Sequence, residues 1–254
     1  VWIHLVDQKG IKMDNTRRKF LATVATTMAA PMLGEASAAE LTDATQDTPR
    51  WVMVVDLRKC IGCQACTVAC STENRIPAGQ FRTLVNHYEI EKDNTPRSAM
   101  LPRLCNHCED PPCVPVCPVQ ATYQRTDGIV VVDNTRCVGC AYCVQACPYD
   151  ARFINHETKT ADKCTFCVHR VQAGLLPACV ETCVGGARIF GNIKDPQSEV
   201  SRLIRSLHTD GLKPELKTRP QVYYIGLDSR LQHKVEGVPG PWTKSDMFKQ
   251  ESQS

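Results

Sequence analysis

Sixteen cysteines dominate the chemistry this chain can do, and they fall into four groups of four with none left over. Cys60, Cys63, Cys66 and Cys70 are separated by two, two and three residues, and Cys137, Cys140, Cys143 and Cys147 repeat that spacing. Cys105, Cys108, Cys113 and Cys117 are separated by two, four and three; Cys164, Cys167, Cys179 and Cys183 by two, eleven and three. Every group opens C-x2-C and closes C-x3-C. A short C-x2-C loop lets two thiolates reach neighbouring corners of one iron–sulfur cube, and a third nearby cysteine takes another corner. The fourth, three residues on, leads away to a second cube, as in two-cluster ferredoxins. The pattern therefore predicts four [4Fe–4S] clusters and one-electron chemistry.

Other uses of cysteine fit less well. Structural zinc favours two separated C-x2-C pairs per site rather than three close cysteines followed by C-P. Eight disulfides drawn from C-x2-C pairs would need strained local loops. A chain of 254 residues can also bury a core without staples. One cluster lost or reduced to three irons is the remaining alternative, and a complete set of sixteen cysteines argues against it.

Pairing follows from the flanks. Cys117-Pro118 and Cys147-Pro148 match each other, and their quartets lie nineteen residues apart. The second and third quartets should thus form one ferredoxin-like lobe, and the first and fourth the other. Exchange of the fourth cysteines predicts four ligand sets: Cys60, Cys63, Cys66 with Cys183; Cys164, Cys167, Cys179 with Cys70; Cys105, Cys108, Cys113 with Cys147; and Cys137, Cys140, Cys143 with Cys117.

The elements that must hold these sets are short. Trp51–Asp56 reads as a strand before the first quartet, and 122–125 with 129–133 as a hairpin turning at Asp127-Gly128. Further strands are expected over 151–155 and 187–190, with short helices after the last cysteine of each quartet. Residues 71–104 form an insertion with a strand near 84–90. A helix over 199–207 and a strand over 222–227 pack over the lobes or dock a larger subunit. The fold class is α+β: two pseudo-symmetric ferredoxin-like lobes, each with two clusters, plus the insertion and a C-terminal extension. The outer lobe takes 50–103 and 158–200, the inner lobe 104–157, and the extension 201–254.

Thr16-Arg17-Arg18-Lys19-Phe20-Leu21, a weakly apolar run to Leu33 and Ala36-Ser37-Ala38 have the parts of a twin-arginine export signal over 1–38. Residues 1–12 fit no ordinary signal start and read as lying upstream of a true start at Met13; 39–49 is a linker. The expected location is the periplasm, with membrane contact only through a partner.

A formal charge of +3 is too mild to argue for nucleic acid. Four loaded sites of about −2 each would make the protein acidic. Arg58, Lys59, Arg103, Arg136, Arg152, Lys163, Arg170 and Arg188 flank the quartets, and cations there favour a reduced cluster; about half should be ordinary surface charges. His107 and His169 read as hydrogen-bonding residues rather than ligands, because sulfur fills the ligand positions. No nucleophile–base pattern, phosphate loop or H-E-x-x-H helix stands out, so the chain reads as a non-catalytic electron-transfer subunit.

The four quartets in this order, with the eleven-residue gap in the last, resemble the four-cluster subunits of the molybdopterin oxidoreductase family. The stretches at 56–64, 81–83, 101–108, 137–143, 151–158, 174–180 and 184–188 resemble the branch serving tetrathionate reduction. The resemblance implies a relay from a quinol-oxidising integral membrane subunit to a molybdopterin catalytic subunit that splits tetrathionate into two thiosulfates. Equivalent subunits for formate-dependent nitrite reduction, or for another sulfur compound, share these features, and a stand-alone cluster carrier or redox sensor is the reading from another class. Nitrate reductase subunits in this family carry tryptophan at the second position of the third quartet and hold a three-iron cluster; here that position is Cys140.

Overall fold

Each quartet sits between a strand that leads in and a strand that leads out. The computed structural model describes residues 48–92 and 94–234, all within one compact unit, Thr45–Ser254. The expected export signal over 1–38, most of the expected linker and residues 235–254 lie outside the described residues. Strands β1 (Trp51–Asp56) and β2 (Thr83–Lys92) flank the first quartet, and β3 (Thr95–Leu104) and β4 (Thr122–Gln124) the second. Strands β5 (Val130–Val132) and β6 (Arg152–Ile154) flank the third, and β7 (Ala161–Lys163) and β8 (Arg188–Asn192) the fourth.

Their pairing closes a ring. β2 pairs with β3, β4 with β5, and β6 with β7, all antiparallel. The last outgoing strand, β8, returns antiparallel to the first incoming one, β1, with Val54 opposite Ile189. Each quartet is thus tied to the next by a hairpin, and the fourth is tied back to the first.

Alternation along β1 divides its side chains between two layers, as the two-residue period of a strand requires. Met53 and Val55 face the core that contains Cys66, Cys105, Cys164 and Cys179. Val52 and Val54 face the other way, against Val200 and Ile225. The C-terminal extension supplies that second layer. Helix Glu199–Ser206 starts at Ser198, whose hydroxyl oxygen accepts from the Ser201 N–H at 3.2 Å. Strand Val222–Ile225 lies parallel to β1 and antiparallel to Thr209–Asp210. The extension therefore packs on the sheet, the plainer of the two roles expected for it.

Two expectations are corrected. The insertion holds two strands rather than one, because β3 continues through Pro96 and Pro102. A two-stranded ribbon has two free edges, where a missing N–H is tolerated. The helices also do not follow the last cysteine. Helix α1 (Ala65–Glu73) contains Cys66 and Cys70, and α2 (Tyr142–Gln145) contains Cys143. Helix α3 (Val168–Gln172) follows Cys167, and α4 (Ala178–Glu181) contains Cys179. Left-handed Gln64, Ala141 and Cys167 turn the chain into the first three. Proline after Cys117 and Cys147 enters a turn, closed by the Gln120 N–H to the Cys117 carbonyl and the Asp150 N–H to that of Cys147.

Gly139 combines a positive φ of 70° with a site where a Cβ would collide with the Lys159 carbonyl, whereas Gly79 has φ 80° and open space. Gly79→Ala should cost only the left-handed strain, about 1 kcal/mol, or about 2–4 °C in the unfolding midpoint of a protein this size. Gly139→Ala should lower the midpoint at least twice as far, because the neighbouring backbone must also shift. Thermal unfolding of the two variants at equal iron content checks the ranking.

Candidate metal centres

The residue before the second cysteine of every quartet is left-handed: Gly62 (φ 72°), His107 (φ 43°), Gly139 (φ 70°) and Phe166 (φ 51°). That conformation folds the loop so that both thiols face one side. Glycine adopts it freely, whereas His107 and Phe166 are strained by it. Those two rings stack on each other, centroids 3.8 Å apart, and both are fully buried. The loops of the second and fourth quartets thus meet ring to ring.

The thiols gather across quartets. Cys60, Cys63, Cys66 and Cys183 line one cavity. Cys105, Cys108, Cys113 and Cys147 line a second. Cys164 lies within electrostatic reach of Cys70, Cys179 and Cys167. In each case one cysteine comes from a different quartet than the other three. Among the described residues, no three His, Cys, Asp or Glu groups close on a point that a single ion could fill. None of the sixteen cysteines is in a disulfide.

The gatherings also adjoin one another. Cys179 is within reach of Cys66, and Cys164 of Cys105. Arg152 interacts with Cys113, Cys105 and Cys143, joining the second cavity to the third quartet. Cys63 and Cys140 are the exposed members of the sixteen, and beside them Ile61 and Val138 are exposed as well.

Burial pushes Cys70, Cys108 and Cys113 toward the protonated form. It carries Cys70 and Cys108 up to about 12, with neighbouring thiolates adding to the shift. Burial likewise raises Cys113 to about 11, against the opposing pull of Arg152 and Lys163. Cys117 is different: burial raises its pKa, but the N–H groups of Thr122, Ala121 and Val119 together bring it below the ordinary value.

Of the eight flanking cations, Arg103, Arg152, Lys163 and Arg188 are 8, 3, 1 and 3 % exposed. Among the described residues none of these four is ion-paired to a carboxylate. Arg188 donates to the Cys179 Sγ at 3.7 Å and to the Thr83 hydroxyl at 2.8 Å. Lys163 donates to the carbonyls of Val130 and, at 2.7 Å, Cys164. Arg152 reaches the Thr122 hydroxyl at 3.2 Å, while its Nε and Nη2 are buried without a partner. Arg103 donates to the Tyr149 carbonyl at 2.7 Å. Burying an uncompensated cation costs several kcal/mol, so these four positions call for anionic groups beside them. Thiolate-ligated iron–sulfur cores of net charge about −2 fit that demand. Arg58, Lys59 and Arg136 are exposed, and Arg170 is ion-paired to Glu73 and Glu181.

His107 accepts from the Val130 N–H at Nδ1, 3.1 Å away, and its Nε2 is buried without a partner. Burial, with Lys163, Arg152 and Arg50 nearby, holds its pKa well below the usual histidine range. His169 is at the surface, 2.8 Å from Glu73.

Sequence reasoning missed one recurring device. After each of three fourth cysteines, the amide four residues on donates to the cysteine sulfur. Ala121 serves Cys117 and Ala187 serves Cys183, both at 3.2 Å, and Ala151 serves Cys147. The signal was present as alanine at the same offset in all three.

Comparison with known proteins agrees with this geometry. Residues 51–72 match the model of a 4Fe-4S binding domain, and 97–193 that of a 4Fe-4S dicluster domain. The chain is 58 % identical over 242 residues to the tetrathionate reductase B-subunit of Salmonella typhimurium, covering 91 % of this chain and 96 % of that protein. It is 41 % identical over 216 residues to protein NrfC of Escherichia coli K12, covering 84 % and 96 %. The selenate reductase B-subunit of Mesobacillus selenatarsenatis is 41 % identical over 209 residues, covering 69 % and 72 %. With ferredoxin-type 4Fe-4S domains and relatedness over nearly its whole length, the chain belongs to the iron–sulfur subunit family that contains the tetrathionate reductase B-subunit.

Proposed function

We propose that this chain is the electron-transfer subunit of a molybdopterin reductase complex, carrying four [4Fe–4S] clusters in two nested ferredoxin-like lobes. The observation that carries the reading is the gathering of three cysteines of one quartet with the fourth cysteine of another around a shared cavity. The ligand sets are Cys60, Cys63, Cys66 and Cys183; Cys164, Cys167, Cys179 and Cys70; Cys105, Cys108, Cys113 and Cys147; and Cys137, Cys140, Cys143 and Cys117. Return of β8 to β1 supports an outer lobe built from both ends of the sequence. When bound, each cluster accepts and returns one electron with little change in shape.

The residues of the chain do the rest. Thiolates hold the core, and amides of Ala121, Ala151 and Ala187 and the buried cations favour its more negative state. The contacts from Cys66 to Cys179, from Cys164 to Cys105, and through Arg152 to Cys143 order the sets in a line. Exposed Cys63 and Cys140 put the ends of that line nearest the surface. One end faces a quinol-oxidising membrane subunit and the other a molybdopterin subunit. Tetrathionate is the proposed final acceptor, on the strength of the Salmonella relative; NrfC keeps a nitrite-linked complex as the second reading. A twin-arginine signal over 1–38 and a periplasmic location complete the proposal.

The loaded chain should contain about sixteen irons and as much acid-labile sulfide. Chemical analysis returning about eight irons, or stoichiometric zinc, would refute the four-cluster reading. The purified chain alone should not turn over tetrathionate, and turnover without a partner subunit would contradict the relay role.

Burial raises the folded pKa of Cys60, Cys70, Cys108, Cys113, Cys147, Cys164 and Cys179, so an empty site binds protons that a loaded site must release. Lower pH therefore favours cluster loss. Extraction by an iron chelator should be faster at about pH 6 than at about pH 8, measured as loss of visible absorbance; an unchanged or reversed pH dependence counts against thiolate ligation.

A further inference from the structure

The first quartet breaks the pattern of the other three. After Cys70 the chain stays helical, and the Asn74 amide is used by the helix, donating to the Cys70 carbonyl at 3.1 Å. No backbone N–H four residues on is then free to serve the sulfur. The Asn74 side chain stands in its place: Nδ2 lies 3.0 Å from the Cys70 carbonyl, 3.6 Å from the Cys70 Sγ and 3.7 Å from the Cys167 Sγ. One N–H is committed to the carbonyl, and the other points between two sulfurs that belong to different quartets.

The orientation of that amide is forced. Arg82 Nη1 donates to Asn74 Oδ1 at 2.8 Å, and a guanidinium can only donate, so the oxygen must face Arg82 and the NH2 the sulfurs. Arg82 is in turn fixed by Asp162, 2.7 Å from its Nε, with both side chains largely buried. The preceding residue pins the same helix end, since Glu73 pairs with His169 and Arg170. An aspartate next to the fourth quartet thus orients, through the insertion's Arg82, an amide on the first.

We infer that Asn74 is a positioning residue that raises the reduction potential of the centre held by Cys164, Cys167, Cys179 and Cys70, with Arg82 and Asp162 setting its direction. Donors to ligand sulfur stabilise the reduced, more negative state. An amide held by an ion pair does so at a fixed geometry, and it acts on two ligands of one centre. This rests on the ligand set proposed above, so the test separates the two claims.

Full-length loaded protein carrying Asn74→Leu is titrated with reductant and followed by electron paramagnetic resonance, with iron and sulfide counted in parallel. Asn74→Leu should lower the midpoint of one cluster by at least the equivalent of a tenfold change in its oxidised-to-reduced ratio, about 59 mV for a one-electron couple. The other three midpoints should stay in place. Arg82→Met, which keeps Asn74 but frees its amide to turn, should move the same cluster in the same direction by less. Unchanged midpoints at full loading overturn the inference, as does an equal fall in all four. If Asn74→Leu loses a cluster, Arg82→Met decides by the same criterion. A wild-type count well short of four clusters would instead refute the underlying ligand assignment.

Discussion

Charge inside the core is the constraint on which this structure depends. Arg103, Arg152, Lys163 and Arg188 are buried without a carboxylate partner among the described residues, and they are delivered by the strands that flank the quartets. Buried thiols pushed upward in pKa cannot offset them, because such thiols are neutral at ordinary pH. Cations without counter-ions and thiols that hold their protons are each unfavourable alone. They become mutually stabilising once the sulfurs are ligated and anionic. Cluster insertion and folding are therefore expected to be coupled here, with the cations as part of the binding site.

The ring of hairpins explains how so little regular structure positions so many ligands. A strand of three residues such as β4, β5, β6 or β7 cannot form an independent sheet. Each instead fixes the entry or exit of a quartet, and the next hairpin fixes the following one. Closure by β8 on β1 removes the free ends of the series, while the C-terminal strand pairs along the other edge of β1 and the helix covers its outward face. Strand β1 carries the most order because the ring closes on it, with four consecutive side chains fully buried.

Much of this was legible in the residues, for reasons that differ by element. Cysteine spacing encodes local loop geometry directly, so the quartets and the centre type could be read without a fold. β1 was legible because Val52–Val55 combine β-branched residues with burial on both sides. Helix placement was not, since left-handed Gln64 and Ala141 are not glycines and give no turn signal. β3 was obscured by its prolines. The stacked His107 and Phe166 were invisible for a similar reason: each occupies a left-handed position that glycine fills in the sister loops, and only their contact across the two loops explains the exception.

That exception and Asn74 point the same way. The loops of Cys60–Cys63 and Cys137–Cys140 carry glycine at the left-handed position and end at exposed cysteines. The loops of Cys105–Cys108 and Cys164–Cys167 carry bulky rings there and are buried. Strain at a backbone position persists only where surrounding packing over-determines it, and here the packing is the junction of the second and fourth quartets. Lys163, within reach of both Cys105 and Cys164, lies at that junction too. The Cys105–Cys108 and Cys164–Cys167 loops are thus enclosed by strained rings, a buried cation and an oriented amide, whereas the Cys60–Cys63 and Cys137–Cys140 loops are glycine turns that reach the surface. That division suits the proposed relay, because potentials must be fixed where electrons pass between lobes, and access must be open where they enter and leave.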